Sequence, residues 1–214
     1  MPVHFEDKVM RIVKVPHMGS FDNNGYILSC RRTGEGVVID APAEPEKLLS
    51  ELGNVKIKAI IITHRHGDHT AGLREMKRRT GAPVAANPED APALPVPPDL
   101  ELKDGDTFRV GDISLRALHT PGHTPGALCL RAGKHLFSGD TLFEGGPGRT
   151  GTPEAFRQIK ASIDAKLLPL PDDTAVYTGH GADTSIGTSR QEVRVFDSKP
   201  HPASLCGDVA WLKS

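Results

Sequence analysis

Residues 57–63 form an unbroken, largely β-branched run that leads directly into His64-Arg65-His66-Gly67-Asp68-His69. Such a run predicts a strand buried on both faces. The four potential ligands behind it constrain the fold further. On a helix, side chains two apart diverge, whereas at a strand end alternate side chains point the same way. His64 and His66 are therefore sent to one point. Asp68 and His69, beyond the flexible Gly67, reach another.

Three more candidates stand where a predicted strand gives way to a glycine-rich loop. They are His123 in Thr120-Pro121-Gly122-His123-Thr124-Pro125-Gly126, Asp140 in Ser138-Gly139-Asp140-Thr141, and His180 in Thr178-Gly179-His180-Gly181. Glycine lets the backbone turn sharply and approach a small object closely. A single such histidine reads as a structural residue, and Asp140 alone as a turn-stabilising one. Together, five histidines and two aspartates at loop tips satisfy two metals with nitrogen and oxygen donors and no sulfur.

Periodicity predicts strands over 10–15, 26–29 and 36–40, a helix over 45–52 opened by Pro45 and closed by Gly53, and a basic helix over 71–80 stopped by Gly81. Short strands at 100–102, 107–110, 113–118, 127–131 and 135–138, separated by turn dipeptides, predict a meander. A helix over 153–165 with Thr152 as its N-cap, a strand over 174–178 and a helix from 185 to 196 complete the pattern. The proline-rich stretch 91–98 reads as a stiff extended crossing. Strands ending in polar loops in both halves favour two sheets packed face to face with helices outside. Trp211 and Leu212 need apolar company, on the body of the fold or on a second subunit.

Composition narrows the function. Lys+Arg 26 against Asp+Glu 27 leaves a net charge of -1, so no overall basic field exists to hold nucleic acid or an anionic membrane. No apolar stretch approaches a membrane span and the charged start contains no signal-peptide core. Cys30, Cys129 and Cys206 are odd in number and scattered, arguing against disulfides and thiolate metal sites. A soluble cytoplasmic protein is expected. It would take a small-molecule substrate and bind neither nucleic acid nor membrane, as a monomer or homodimer. The whole chain, 1–214, reads as one domain, with 198–214 a C-terminal extension.

The run from His64 to His69, the Pro-Gly-His-Thr-Pro-Gly around His123, the Gly-Asp-Thr-Leu-Phe at Asp140 and the Gly-His-Gly at His180 resemble the metallo-β-lactamase-fold hydrolases, in particular the glyoxalase II-like (hydroxyacylglutathione hydrolase-like) branch. The resemblance spans residues 10–195. It implies an α/β fold, a four-layer αββα sandwich of two mixed β-sheets flanked by helices, with the site at one sheet edge. It assigns His64, His66 and His123 to a first metal, Asp68, His69 and His180 to a second, and Asp140 to a bridge between them. Asp40, ending a strand, matches a family acid that orients a ligand.

The sequence also departs from that branch. Classical members grip glutathione with basic and tyrosine residues of a longer C-terminal helical region, whereas the tyrosines here are Tyr26 and Tyr177. Their Gly-Cys-Gly-Arg appears as Gly146-Pro147-Gly148-Arg149. Arg149 would anchor a substrate carboxylate or brace its loop through an ion pair.

The resulting expectation is a dinuclear hydrolase of S-lactoylglutathione or another acyl thioester. Asp68 and Asp140 are the catalytic carboxylates and a hydroxide bridging two divalent ions is the nucleophile. Zinc is the expected metal, with iron or manganese as alternatives. The rivals are a mononuclear iron persulfide dioxygenase using His64, His123 and Asp140, a lactonase or β-lactamase of the same fold, an RNA-processing relative, and a non-catalytic metal scaffold. Among the remaining residues, His17 is a candidate for the cleft wall and Arg65 adjoins the site. The Arg74, Lys77, Arg78, Arg79 cluster reads as a solvated helix face. His119 reads as loop support, His135 and His201 as structural, and His4 as part of a mobile terminus.

Overall fold

A computed structural model describes residues 3–213. The first half forms β1 (Val3–Glu6), β2 (Met10–Met18), β3 (Asn23–Cys30), β4 (Glu35–Ile39), α1 (Pro45–Glu51), β5 (Lys56–Ile61), α2 (Gly67–Thr70), α3 (Leu73–Thr80), β6 (Val84–Ala86) and β7 (Leu100–Glu101). The second half forms β8 (Thr107–Val110), β9 (Ile113–His119), β10 (Leu128–Ala132), β11 (His135–Gly139), β12 (Leu142–Phe143), β13 (Gly146–Pro147), α4 (Pro153–Ser162), β14 (Ala175–Thr178), β15 (Thr184–Ser185) and α5 (Ile186–Asp197). One sheet has seven strands in the order β1 to β7, and the other six in the order β15-β14-β11-β10-β9-β8. Both are mixed: β4-β5-β6-β7 and β11-β14 pair in parallel, and the other pairs run antiparallel.

The layers follow from strand periodicity, because successive side chains leave a strand on opposite faces. Ile12, Leu28, Val37, Ile39 and Ile61 enter the core between the sheets with Leu115, Leu130, Phe137 and Tyr177. Their neighbours Val13, Ile27, Val38 and Ile60 pack outward against Leu48 of α1 and Leu73 and Met76 of α3. On the far side Cys129, Leu136 and Val176 meet Phe156 and Ile159 of α4 and Val193 and Phe196 of α5. The result is the expected helix-sheet-sheet-helix order. Trp211 is fully buried in this last core against Phe196, at 5.0 Å between ring centroids, so its company comes from the body of the chain. Among the described residues no helix is long and apolar enough to cross a membrane.

Several elements differ from expectation. The strand predicted at 57–63 is Lys56–Ile61, with Lys56 and Lys58 exposed, so only its C-terminal half is covered on both faces. The helix predicted over 71–80 begins at Leu73, and a separate single turn, α2, precedes it; the chain turns between them at Ala71 and Gly72, where a Cβ on Gly72 would lie 2.3 Å from the Pro42 carbonyl. Residues 91–98 are not uniformly extended; Ala91–Ala93 make a single 3-10 turn. The segment near 100 leaves the meander and pairs with β6 in the first sheet. Four strands of two to four residues, β1, β12, β13 and β15, and the three-residue β6 were not expected. Pieces so short lack a readable period and exist by pairing with their neighbours. His4 lies in β1 and contacts Asp183, where a mobile terminus was expected.

Candidate metal centre

The topology gathers the donors. In the first sheet β4 and β5 run parallel, so Asp40 and the His64 segment follow their C-terminal ends at one edge. In the second sheet β11 and β14 run parallel, and β9, two antiparallel steps from β11, has the same sense. Asp140, His180 and His123 consequently emerge at the matching edge. Backbone hydrogen bonds sew the two edges together, from Leu128 N to the Thr63 carbonyl at 2.8 Å and from Asn24 N to the Gly179 carbonyl at 2.8 Å.

The local conformation of the motif is the one its spacing predicts. His66 is extended at φ -63 and ψ 144, and Gly67 opens the single turn of α2 that carries Asp68 and His69. Donor atoms of His64, His66 and His123 lie within 4.8 Å of one another, as do those of Asp68, His69 and His180, and those of His64, His69 and Asp140. Asp140 stands between the two histidine sets. Its Oδ1 is 3.2 Å from His69 Nε2, and its Oδ2 is 3.4 Å from His180 Nε2, 3.5 Å from His123 Nε2 and 4.0 Å from His64 Nε2.

Nε2 is turned inward because Nδ1 is engaged elsewhere. His69 Nδ1 donates to Asp40 Oδ2 at 2.8 Å, His123 Nδ1 to the Arg149 carbonyl at 2.8 Å, and His180 Nδ1 to the Phe21 carbonyl at 2.7 Å. Such outer hydrogen bonds fix the tautomer and aim of a ligating imidazole. Asp40 also accepts from Thr63 N and Thr63 Oγ1, both at 2.8 Å, and holds a left-handed φ of 60 that an aspartate adopts only under constraint. The buried Nε2 atoms of His64 and His123 have no hydrogen-bond partner. Buried polar nitrogens in that state are costly, and divalent cations are the partners that fit them and the carboxylate between.

Electrostatics point the same way. Burial pushes the His64 imidazole well below its ordinary value. Burial also opposes charge on His69 and His180, but the carboxylates around them prevail. Asp140 and Asp40 hold His69 well above the ordinary range, and Asp140 with Asp68 raises His180 to about 10. Against its own burial, Asp140 is held well below the usual carboxylate range by His69 and His180. Protons and divalent cations therefore compete for the same nitrogen positions.

Two residues that sequence reasoning passed over support the site. Asn23 donates to Asp68 Oδ2 at 2.9 Å. Asp90, 2% exposed, accepts from Arg65 N at 3.0 Å, Thr124 Oγ1 at 2.6 Å and Gly126 N at 3.0 Å. It thus ties the residue before His66 to the residue after His123. Nothing in one sequence marks Asp90, since its partners lie 25 to 36 positions away. Gly179 and Gly148 are required by close approach. A Cβ on Gly179 would lie 2.1 Å from Asp140 Oδ1, and one on Gly148 would lie 1.8 Å from the Asp140 carbonyl.

The peripheral expectations resolve as follows. Arg149 is exposed and its Nε lies 3.4 Å from Asp208, the loop-bracing alternative, while its carbonyl orients His123. The His17 side chain is 79% exposed, held by Asp22, and belongs to none of the donor groups. His119 supports its loop by donating to the Pro125 carbonyl at 2.7 Å.

Two mixed sheets that meet at an edge of five histidines and two aspartates define a class, the metal-dependent hydrolases. The model of the metallo-beta-lactamase superfamily matches residues 19–180, and the chain belongs to that superfamily. It is 37% identical over 198 residues to an uncharacterized protein of Aquifex aeolicus, covering 84% of this chain and 94% of that one. It is 41% identical over 165 residues to a hydroxyacylglutathione hydrolase of Rhodopseudomonas palustris, covering 74% of this chain but 62% of the relative, less than two thirds of that protein's length. The crystal structure of BLEG-1 B3 metallo-beta-lactamase superposes with a TM-score of 0.76 at 28% identity, covering 84% of this chain and 96% of that one.

Proposed function

We propose that the chain is a two-metal thioester hydrolase acting on a small molecule, with S-lactoylglutathione as the type substrate. The observation that carries this reading is the pair of buried, unpartnered Nε2 atoms of His64 and His123 facing the carboxylate of Asp140. His64, His66 and His123 would hold one ion, Asp68, His69 and His180 the other, and Asp140 both. Zinc suits this donor set best, and iron or manganese fit it as well. Bound there, divalent ions supply Lewis acidity toward a carbonyl and a hydroxide at neutral pH.

The chain's own residues do the rest. Asp40 keeps the proton on His69 Nδ1, Arg149 and Phe21 do the same for His123 and His180, and Asn23 fixes the Asp68 oxygen that faces His180. No serine or cysteine nucleophile is needed in such a scheme. The relative named hydroxyacylglutathione hydrolase supports the thioester assignment. The set His64, His123 and Asp140 alone would serve the mononuclear iron alternative but would leave Asp68, His69 and His180 without a task.

Asp140→Ala tests the reading. Metal content measured by elemental analysis should fall below that of the wild type, and hydrolysis of S-lactoylglutathione should cease. Full activity in that variant would refute the proposal. A wild-type protein carrying one iron per chain and consuming oxygen on glutathione persulfide would replace it with the dioxygenase reading.

A further inference from the structure

The basic residues of α3 are not alike. Lys77 reaches Asp99 at 2.7 Å, Arg78 reaches Glu75 at 2.5 Å, and Arg79 lies 3.8 Å from Glu75. Arg74, at the start of the helix, has no acidic partner among the described residues. It lines a cleft of about 340 Å³ together with Arg65, Gly67, Thr70, Ala93 and Pro95. Arg65 and Gly67 flank His66 in sequence, so two of the cleft's walls lie on the loop that carries the metal donors. The carboxylate nearest to Arg65 is Asp90, at 3.8 Å from Nε, and that carboxylate is already committed to Arg65 N, Thr124 Oγ1 and Gly126 N. Arg65 and Arg74 thus line one concavity in which Asp90 pairs with Arg65 while no carboxylate among the described residues pairs with Arg74, leaving one positive charge over, and its other walls are small side chains.

We infer that this cleft is an anion subsite in which Arg65 and Arg74 take a carboxylate on the thiol part of the substrate. The inference rests on the thioester reading above. An acyl carbon reacts at the metal centre, so a group that reaches a cleft beside it belongs to the longer, thiol-bearing arm. Guanidinium presents paired donors in the geometry a carboxylate accepts. A carrier whose carboxylates are esterified loses this contact while keeping the same chain length.

The test is binding of S-methylglutathione and of its diethyl ester to the metal-loaded protein by calorimetry, which needs no turnover. The wild type should prefer the diacid, and the preference should shrink as salt is added. Arg74→Gln should lower the ratio of the two affinities by about fivefold, the ceiling for an ion pair open to solvent. Adding Arg65→Gln should deepen the loss, with metal content unchanged. Arg78→Gln is the control, since that side chain is paired with Glu75, and should leave the ratio where it was.

Equal affinities for diacid and diester in the wild type, an unaltered ratio in Arg74→Gln, or an equal loss in Arg78→Gln would each overturn the subsite. Hydrolysis of S-lactoylglutathione separates the two proposals. A preference for the diacid without hydrolysis would leave the subsite standing and remove the reaction, whereas hydrolysis with equal affinities would do the reverse.

Discussion

Replacing Asp90 with alanine should damage the protein in a way that its distance from the metal donors in sequence does not suggest. The carboxylate accepts from two backbone N–H groups, of Arg65 and Gly126, and from the Thr124 hydroxyl, the last two buried and the first partly so. A hydroxyl can rotate to another acceptor, but the two amides cannot. Each buried donor left without a partner costs roughly 1–3 kcal/mol, so the pair sets the loss near 4 kcal/mol. For a chain of this size each kcal/mol moves the melting temperature by roughly 2–4 °C, which places Asp90→Ala about 8–16 °C below the wild type. Asp90→Asn keeps one acceptor oxygen and should lose about half as much.

The damage should also be local. Arg65 precedes His66 and Thr124 follows His123, so an ion that His64, His66 and His123 would hold should bind more weakly while the Asp68, His69 and His180 set stays intact. Thermal unfolding by circular dichroism, paired with elemental analysis after dialysis, reads both effects. A variant that melts within about 2 °C of the wild type and keeps its full metal content would refute the reasoning.

Two further outcomes follow from the geometry. Gly179→Ala would place a Cβ 2.1 Å from Asp140 Oδ1 and 2.7 Å from His69 Cε1. The carboxylate must move, so the visible spectrum of the cobalt-substituted variant should change even where the fold survives; an unchanged spectrum would contradict the close approach. Asp140 and Asp68 raise His180 to about 10, and Asp140 and Asp40 raise His69 as well, so a cation must displace protons that these carboxylates favour on the two imidazoles. Metal affinity should weaken as pH falls, and calorimetry in buffers of different ionisation enthalpy should register net proton release; no release at pH 7 would count against it. The sign for stability is the opposite. A raised histidine pKa stabilises the metal-free fold fully below about 6.5, a contribution lost as pH rises toward 10.

What the sequence determined by itself were the features written in contiguous residues. The alternation along Val37-Val38-Ile39 fixes two covered faces, Thr152 caps its helix by accepting from Ala155 N, and His64 groups with His66 while Asp68 groups with His69 as the strand end and Gly67 require, although folding also brings His64 and His69 together beside Asp140. Glycine flanks also marked His123, Asp140 and His180 as loop-tip donors. Each of these depends on steric rules acting over a few bonds, which any short segment carries with it.

Tertiary structure alone decided the rest. The short strands β1, β6, β12, β13 and β15 have no pattern of their own and exist through pairing. Asp90 and Asn23 matter through partners that only the folded topology brings near. The basic cluster of α3 looked uniform along the chain, and only packing paired Lys77 and Arg78 while leaving Arg74 facing a cleft. A side chain's hydrogen bonds and electrostatic field fall off within a few ångströms of space, and sequence records neighbours along the backbone rather than in that space.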